Sequence, residues 1–561
     1  MDRPLETGLP SVGPPGPFAE YNRATGPPGD FEAMSLETAA VPSGASFFSN
    51  TPSKAFAPED FTADERLMVR QAEEFSRKEV LPVVERLEKQ EEGLMAELIR
   101  KAGALGFLGV DASEEVGGLG LGKCLSARIL ELLSLDGSFA VTAGVTSGIG
   151  QAGIALFGTE EQKARYLPSI VSGEKLSAYC LSEPDSGSDA LSASARADFK
   201  GGKWILNGAK MWVSNAKWAE VFTVFAKIDG EKFSAFLLER EFPGLSVARE
   251  EHKLGLKGSS TARVVLENAE VPKDNLLYVP GLGHRVALNA LNLGRFKLSS
   301  MSLGPARHAI ELAAAYALER RQFGSPISEF GLIRKKLAEM AAAYYLAESM
   351  IYRTGRMIDQ AFGAWGGTIE GNRKAAEEFA IECSACKVFA TEAQARIVDE
   401  AVQVFGGYGF TEEFPVARHF RDARVSRIYE GTNEINRLFV SSRLRKRAEE
   451  GRASLEAAAD SFLSELAGKA IKKELLDQVS IAAASELVLL AYAEQSGRLR
   501  AERIGGVNRD LYKIGLTWLN AAGAAAFQAI TGDSVSLPAT GTLPIDEVAA
   551  AVLERKGPLG T

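Results

Sequence analysis

The spacing of apolar residues divides the chain into segments of different period. Within residues 56–178, apolar residues recur every three or four positions, as in ADERLMVRQAEEFSRKEVLPVVERLEK. This spacing is typical of amphipathic helices. It returns in residues 286–447, in stretches long enough to pack as a bundle, and it persists in residues 448–561. We therefore predict an N-terminal helical domain, a C-terminal helical bundle and an additional helical extension.

Residues 179–285 have a different pattern. Two apolar runs in KWILNGAKMWV meet at Asn207-Gly208, and two in VFTVFAKIDGEKFSAFLLE meet at Asp229-Gly230. Asn-Gly and Asp-Gly pairs between apolar runs are typical of β-hairpins. This region is therefore predicted to be an antiparallel β domain, and the whole chain a multidomain α+β protein.

The first segment, residues 1–55, is rich in Gly, Pro and Ser. Such a composition predicts an extended or partly disordered arm. Its last part contains FFSN at 47–50, a candidate point of docking on the body.

Composition and charge exclude several classes of protein. Hydrophobic residues make up 46% and charged residues 24% of the 561 residues, the balance of a soluble globular protein. The net charge of -9 argues against a dominant nucleic-acid surface. No apolar run is expected to span a bilayer. The first residues, MDRPLETGLP, have no apolar signal core and are not Arg-rich, so we expect a cytoplasmic protein.

The cysteines and histidines do not predict a metal site. Cys383 and Cys386 form a C-x-x-C motif inside a strongly helical stretch, but no second pair and no nearby histidine completes a zinc site. Small core residues are the favoured interpretation of both cysteines.

A near match to a phosphate-binding loop, GGLGLGKC, lies at 117–124. Cys124 stands where the motif requires a magnesium-binding hydroxyl, and the acidic residues before the loop are not a buried strand. A glycine-rich turn between helices is favoured over an ATPase.

Five further motifs each have a structural explanation when taken alone. They are YCLSEPDSGSD at 179–189, KMWVSN at 210–215, RRQFG at 320–324, VFGGYGF at 404–410 and RIYEGTNEINRLFV at 427–440. The first is a polar loop that could hold a flat polar ring, and the second sets an indole beside a hydroxyl. The third and fourth are capping sequences at helix ends. The last places a carboxylate next to a glycine, just before a helical pattern.

Together, in this order and spacing, the five motifs resemble those of the flavin-dependent acyl-CoA dehydrogenases over residues 60–440. The resemblance is strongest to the very-long-chain branch, which also carries a C-terminal helical extension. It implies an N-terminal helical domain, a middle β domain and a C-terminal four-helix bundle, with FAD between the β domain and the bundle.

The resemblance makes Glu430 the general base, which removes the proton alpha to the thioester while hydride passes to the flavin. It implies that the main-chain N–H of Glu430, with a ribityl hydroxyl, polarises the thioester carbonyl. Gly431 lets the backbone approach closely. Some relatives take the base from a position that corresponds here to Gly294, which cannot serve. Arg295 matches an arginine near the active site, and Asn292 stands where many relatives have Asp.

Cofactor and substrate contacts follow from the same resemblance. Flavin contacts are expected from Tyr179, Leu181, Ser182, Ser188, Trp212, Val213, Ser214, Thr432 and Glu434, and from Arg320, Phe323, Gln403 and Gly407 across a subunit interface. Substrate contacts are expected from Ser188, Asn292, Arg295, Gly431, Gly144 and Gly148.

Gly144 and Gly148 lie in a glycine-rich helical stretch that resembles the far wall of the family's acyl tunnel. A helix break, close helix packing and room for a ligand all remain open as explanations. The resemblance favours a deep tunnel and long acyl chains.

The implied partners are an acyl-CoA substrate, electron-transfer flavoprotein and a second copy of the chain, as a homodimer or a dimer of dimers. Two alternatives remain: an acyl-CoA oxidase, which shares fold and base, and a non-catalytic binding or assembly protein. Peripheral membrane contact through the C-terminal extension stays open, with nothing in the residues to support it.

Overall fold

The computed structural model describes residues 43–49, 52, 54–455, 460–471, 473, 477–539 and 541–559. Its first part is helical, as predicted. The helices are α1 (Ser46–Ser49), α2 (Ala63–Phe75), α3 (Val84–Glu88), α4 (Leu94–Ala104), α5 (Lys123–Leu133), α6 (Gly137–Ser147), α7 (Ile149–Phe157) and α8 (Glu160–Val171). Threonines at 62 and 159 begin α2 and α8, and each exchanges two hydrogen bonds with the third helical residue. These capping boxes explain where both helices start.

The arm docks on the body where FFSN was singled out. Phe47 and Phe48 are buried, and the backbone N–H of Gly44 donates to the Glu378 carboxylate at 2.8 Å. Residues 1–42, 50, 51 and 53 of the predicted arm, including Asn50 of FFSN, lie outside the described residues.

The middle region is a sheet with strands β1 (Leu176–Cys180), β2 (Arg196–Lys200), β3 (Lys203–Ser214), β4 (Ala219–Ile228), β5 (Lys232–Glu239), β6 (Leu245–Glu250), β7 (Thr261–Pro272) and β8 (Leu276–Leu277). The strand order is β6-β7-β3-β2-β4-β5-β8, with β1 beside β4. Most neighbours are antiparallel, but β1 and β2 each run parallel to β4, so the sheet is mixed. β2 is joined to β3 by a tight antiparallel hairpin at residues 200–203, whereas the loop between β1 and β2 allows both strands to run parallel to β4.

One of the two predicted hairpins is present. Asp229-Gly230 lies in the turn between β4 and β5, where both residues have positive φ. The prediction at Asn207-Gly208 was wrong, because both residues lie inside β3. There β3 pairs with β7 on both sides of a register shift between Leu206 and Gly208. An Asn-Gly pair can therefore mark a bulge in a long strand as well as a turn.

The chain then forms a bundle of long helices, as predicted. Its long members are α9 (Gly283–Glu319), α10 (Gly331–Trp365), α12 (Ala380–Phe405) and α14 (Asn433–Glu449), with α11 (Ile369–Glu378) and α13 (Pro415–Ala423) between them. A small ribbon, β9 (Arg321–Gln322) and β10 (Ser325–Pro326), follows α9.

The extension adds α15 (Phe462–Ile471), α16 (Gln478–Ile504), α17 (Val507–Thr531) and α18 (Ile545–Arg555). It is joined to the body by buried charges. Arg500 of α16 contacts Glu348 of α10 and Glu59 of the N-terminal region, each at 2.8 Å. The extension therefore belongs to the same packed body.

The glycine-rich turn before α5 is not a phosphate site. The carboxylate of Asp359 already accepts hydrogen bonds from the backbone N–H groups of Lys123 and Cys124, at 2.6 and 3.2 Å. A protein carboxylate thus takes the place that a phosphate would need, which argues against the ATPase alternative.

Cys383 and Cys386 are buried core residues of α12. The residues that the structure describes contain no group of three His, Cys, Asp or Glu side chains able to hold a metal ion.

One stretch, Gly137–Phe157, is apolar and long enough to cross a membrane by composition and length. The expectation that no apolar run is long enough to span a bilayer was therefore wrong for this stretch. However, 83% of its most apolar window is buried inside the protein. The stretch is also divided into α6 and α7 at Gly148, so it serves as a core element here.

Candidate active site

Glu430 lies at a sharp corner just before α14. Its φ is 56° and that of Gly431 is 78°, so two successive residues adopt the left-handed conformation. This conformation is unfavourable for a residue with a side chain and persists only where the surroundings enforce it. The side-chain oxygen of Thr432 then accepts from the Ile435 N–H and begins the helix.

Three buried side chains hold the carbonyl groups of this corner. Arg295 Nε donates to the Glu430 carbonyl at 3.2 Å. Lys387 Nζ donates to the Gly431 carbonyl at 2.8 Å and to Asn433 Oδ1 at 2.7 Å. Asn436 Nδ2 lies 2.9 Å from the Gly431 carbonyl and 3.0 Å from that of Thr432. The corner is therefore rigid, and its strain is compensated by these bonds.

The Glu430 carboxylate itself is left without a partner on one side. The residue is partly accessible as a whole, whereas its Oε2 atom is buried and has no hydrogen-bond partner. Burial raises the pKa of Glu430 to about 7, against the opposing effect of Arg295 and Lys387. A carboxyl group with such a pKa can both take up and release a proton near neutral pH.

Gly294 of α9 explains how the carboxylate fits. A Cβ atom at this position would lie 2.9 Å from Glu430 Oε2. Any larger residue would displace the carboxylate, so the glycine makes room for it.

Two cavities meet at the corner. The catalytic cavity, of about 220 Å³, is lined by Glu430 together with residues of α6, β1, β3 and α9. The adjoining cavity, of about 610 Å³, extends along residues 251–261 and the segment before Glu430. The shared lining residues are Val141, Ser182, Gly187, Ser188, Trp212, Ser214, Tyr429, Glu430 and Gly431. The structure thus brings the motifs at 179–189, 210–215 and 427–440 to one place.

A buried ion pair shapes the loop that bears Ser182 and Ser188. Lys210 Nζ lies 2.5 Å from Glu183 Oε1, and neither side chain is exposed by more than 2%. The Glu183 carboxylate also accepts from the backbone N–H of Ser194 at 2.6 Å. The two ends of the loop are thereby tied to β3.

Trp212 reaches the cavity because β3 is irregular there. The pairing with β7 shifts between Lys210 and Val213, and Trp212 has a φ of 53°. Its indole is 58% exposed and lines both cavities. Val213 instead points into the core of the sheet, so its side chain does not reach the cavity.

The remaining expected residues fall into separate groups. Tyr179 and Leu181 line the catalytic cavity, and Thr432 lines the adjoining one. Glu434 is exposed on the first turn of α14. Asn292 is buried behind Arg295, whose Nη1 lies 3.4 Å from Asn292 Oδ1.

The residues expected to serve a neighbouring subunit lie apart from both cavities. Gln403, Gly407 and Phe323 are exposed, and the Phe323 ring is 96% accessible. The Arg320 guanidinium lies 5.4 Å from the centre of the Tyr408 ring, which brings the ends of α9 and α12 together. Within the described chain, this group does not join the site around Glu430.

The structure assigns different roles to the two glycines of the expected tunnel. Gly144 lines the catalytic cavity, and a Cβ atom there would lie 2.5 Å from Met301 Sδ. Gly148 separates α6 from α7, and a Cβ atom there would lie 2.4 Å from the Gly144 carbonyl oxygen. Gly148 is thus explained by the helix break, whereas Gly144 allows close packing beside a space for a ligand.

Lys387 and Asn436 were missed by the sequence analysis. Lys387 directly follows the C-x-x-C motif on α12, where only the two cysteines were considered as candidate site residues. A lysine in the middle of an apolar helix is a signal, because a buried ammonium group needs partners.

Comparison with known proteins identifies the family. The N-terminal, middle and C-terminal domain models of acyl-CoA dehydrogenase match residues 62–174, 178–269 and 281–445. A probable acyl-CoA dehydrogenase of Bacillus subtilis (strain 168) is 46% identical over 441 residues, which are 77% of this chain and 74% of that protein. The very long-chain specific acyl-CoA dehydrogenase of Macaca fascicularis mitochondria is 42% identical over 349 residues, but the match covers only 51% of that protein.

A solved structure extends the similarity over most of the chain. The crystal structure of an acyl-CoA dehydrogenase complexed with FAD from Bacillus anthracis superposes with a TM-score of 0.84 and 37% identity. The match covers 92% of this chain and 99% of that one, so it includes the extension. The chain is therefore a member of the acyl-CoA dehydrogenase family, whose enzymes are oxidoreductases acting on CH–CH groups.

Proposed function

We propose that this protein catalyses the FAD-dependent α,β-dehydrogenation of a fatty acyl-CoA thioester to the trans-2-enoyl-CoA, with Glu430 as the general base. The observation that carries the proposal is the buried, unpartnered Oε2 of Glu430 at a rigid corner facing the catalytic cavity. A base needs a fixed direction and a free oxygen, and this carboxylate has both.

The residues around the two cavities suit a flavin. An accessible indole at Trp212 offers a flat face, and the hydroxyl groups of Ser182, Ser188 and Ser214 offer hydrogen bonds to the edge of a ring. Together with Thr432 and the adjoining cavity, they would hold FAD beside Glu430. Bound FAD would accept the hydride from the β-carbon at flavin N5.

The residues of the protein act at the α-carbon of the substrate. The ionised carboxylate of Glu430 takes the α-proton, and its main-chain N–H donates to the thioester carbonyl, which makes that proton more acidic. Arg295 and Lys387 act on the backbone of the corner and favour the ionised form of the base. Arg295 and Gly431 also line the catalytic cavity, where they would contact the thioester and the first part of CoA.

One spectrum tests this proposal. Purified protein should be yellow, and palmitoyl-CoA added without oxygen should bleach the flavin absorbance. A colourless protein that does not take up FAD, or a yellow one that no acyl-CoA bleaches, would contradict it. Rapid reoxidation by oxygen alone would identify an oxidase, whereas dependence on electron-transfer flavoprotein supports the dehydrogenase. With that acceptor, the reaction would serve fatty-acid β-oxidation in the cytoplasm.

The exposed residues that follow α9 and end α12 support the formation of an oligomer. We propose that Arg320, Phe323, Gln403 and Gly407 contact the FAD of a neighbouring subunit, while Glu434 on α14 approaches the FAD of its own subunit. The 96% exposure of Phe323 suits a surface that a second copy covers. A homodimer or a dimer of dimers would meet this requirement.

Arg320→Ala should therefore weaken FAD retention without weakening the fold. Lysine at 320 should restore retention only in part, because it lacks the planar fork of arginine. The measurement is the ratio of flavin to protein after gel filtration, with the oligomeric state read from the same run. A monomer that retains FAD fully would refute the assignment.

We further propose a preference for long acyl chains, about C12 and above, since each buried methylene contributes about 0.8 kcal/mol. Gly144 supports this, because it lines the catalytic cavity at a point where a side chain would press against Met301 of α9. Gly144→Leu should shift the preference toward shorter chains with little change in FAD content, because the flexible side chain of Met301 can move aside. The measurement is kcat/KM over an acyl-CoA series.

The neighbouring glycine provides the comparison. A side chain at Gly148 would meet the backbone, so Gly148→Leu is expected to lower the melting temperature rather than change selectivity. If Gly144→Leu also lowers stability with an unchanged chain-length profile, or if wild type works best on butyryl-CoA, the long-chain preference is wrong.

A further inference from the structure

Lys297 of α9 stands between the catalytic cavity and a second large space. It lines the catalytic cavity with Leu298 and Met301, and it also lines a separate cavity of about 590 Å³. This distal cavity is bounded by residues 111–116, by α7 and α8, and by Leu293 and Phe296 of α9. Among the residues that the structure describes, Lys297 alone is shared by the linings of these two cavities.

Lys297 lies on α9 one helical turn after the position that faces the proposed base, Glu430. Gly294, whose missing side chain makes room for Glu430, lies three residues earlier, so both positions share a face of the helix. An acyl chain that begins beside Glu430 and runs along α9 in the direction from Gly294 to Lys297 would therefore meet the aliphatic stem of Lys297. A Cβ atom on Gly148 would lie 3.5 Å from Lys297 Cδ, so the stem also closes the gap to the break between α6 and α7.

The ammonium group of Lys297 is fixed. It donates to the carbonyl of Ser147, the last residue of α6, at 2.6 Å and to Asp111 Oδ1 at 3.0 Å. Asp111 is itself held by Lys123 at 3.0 Å and by the Ser126 hydroxyl at 2.8 Å. Lys297 is only 5% exposed, so its stem cannot turn toward solvent without breaking these bonds.

We propose that Lys297 is a specificity-determining residue that ends the acyl channel and sets the longest chain the enzyme accepts. The inference rests on the proposed acyl-CoA dehydrogenase function. In the wild type the chain end stops against the anchored stem. Without the stem, the catalytic cavity would open into the distal cavity, which has room for the end of a longer chain.

Lys297→Ala tests the proposal. Wild-type kcat/KM should fall beyond a limiting chain length, and the variant should move that limit to longer chains. Each methylene that becomes buried contributes a factor of about four, so the ratio of kcat/KM for a C20 over a C12 substrate should rise at least about tenfold. Calorimetric dissociation constants for the matching trans-2-enoyl-CoA products should change by a similar factor, independently of turnover.

Lys123→Ala is the matched control. It removes a lysine from the same carboxylate, but Lys123 lines only the distal cavity, so the C20 to C12 ratio should stay at the wild-type value. In Lys297→Ala, Asp111 retains Lys123 as a partner, so no unpaired charge is buried. Lys297→Met, which keeps much of the stem but loses its anchor, should give an intermediate ratio.

An unchanged ratio in both Lys297 variants would overturn the proposal, as would equal wild-type activity on C12 and C20 chains. Turnover of the C12 substrate by wild type in the same assay keeps this failure distinct from a failure of the proposed function. If Lys297→Ala does not fold, the ratio for Lys297→Met decides.

Discussion

Glu430→Gln should yield a yellow, folded protein whose flavin is hardly bleached by palmitoyl-CoA. Glutamine has the shape of the protonated carboxyl group but cannot take the α-proton. The loss should exceed the roughly 10²–10⁴-fold effect that is typical of an assisting general base, because the proton has no other acceptor in the proposed mechanism. The measurement is the rate of flavin bleaching in a stopped-flow experiment. Bleaching at a rate close to that of wild type would refute the assignment of the base.

The stability of the same variant provides an independent control. The pKa of Glu430 is raised from 4.5 to about 7 in the folded protein, mainly by burial. The folded state therefore favours the protonated form, and this contribution to stability is present below pH 4.5 and is lost as the pH rises through 7. Glutamine does not titrate. The melting temperature of Glu430→Gln relative to wild type should therefore rise between pH 5 and pH 8, and a constant difference would contradict the buried carboxylate.

The sequence predicted the order of domains because each has its own period of apolar residues. It also predicted which motifs meet, through the family resemblance. Asn207-Gly208 shows the limit of such reasoning: the same dipeptide suits a tight turn and a bulge, and only the pairing of β3 with β7 selects between them. The parallel pairing of β1 with β4 is likewise a long-range property that no local pattern encodes.

The sequence predicted residues that line the cavities of the candidate site but not the residues that support them. Ser182, Trp212 and Glu430 belong to recognisable motifs, whereas Lys387 and Asn436 act through hydrogen bonds to backbone carbonyls. Any side chain with a donor at the right place could make such bonds, so they leave no fixed motif. The separate roles of Gly144 and Gly148 also needed coordinates, because a glycine states only that space or an unusual backbone is required.

Lys387→Met should shift the pH dependence of the reaction. Burial lowers the pKa of Lys387 to about 7, so this lysine is charged chiefly below that pH, where it favours the ionised form of Glu430. Its removal therefore raises the pKa of Glu430 further. The rise of kcat/KM with pH should then occur at higher pH, and the loss of activity should be largest at and below pH 7 and become smaller as the pH rises above 7. The measurement is the pH profile of kcat/KM for wild type and variant, with flavin content as a check on the fold.

The methionine should be tolerated, because the groups that Lys387 contacts keep other partners. The Gly431 carbonyl retains Asn436 Nδ2, and Asn433 Oδ1 retains the Thr391 hydroxyl at 3.4 Å. Lys336→Met is the matched control, since it removes a lysine that pairs with Glu400 on the partly exposed sides of α10 and α12, away from both cavities. That variant should keep the wild-type profile. If Lys387→Met loses activity equally at every pH, Lys387 only supports the backbone of the corner and does not tune the base. A pH profile identical to that of wild type would show that Lys387 has no role in the site.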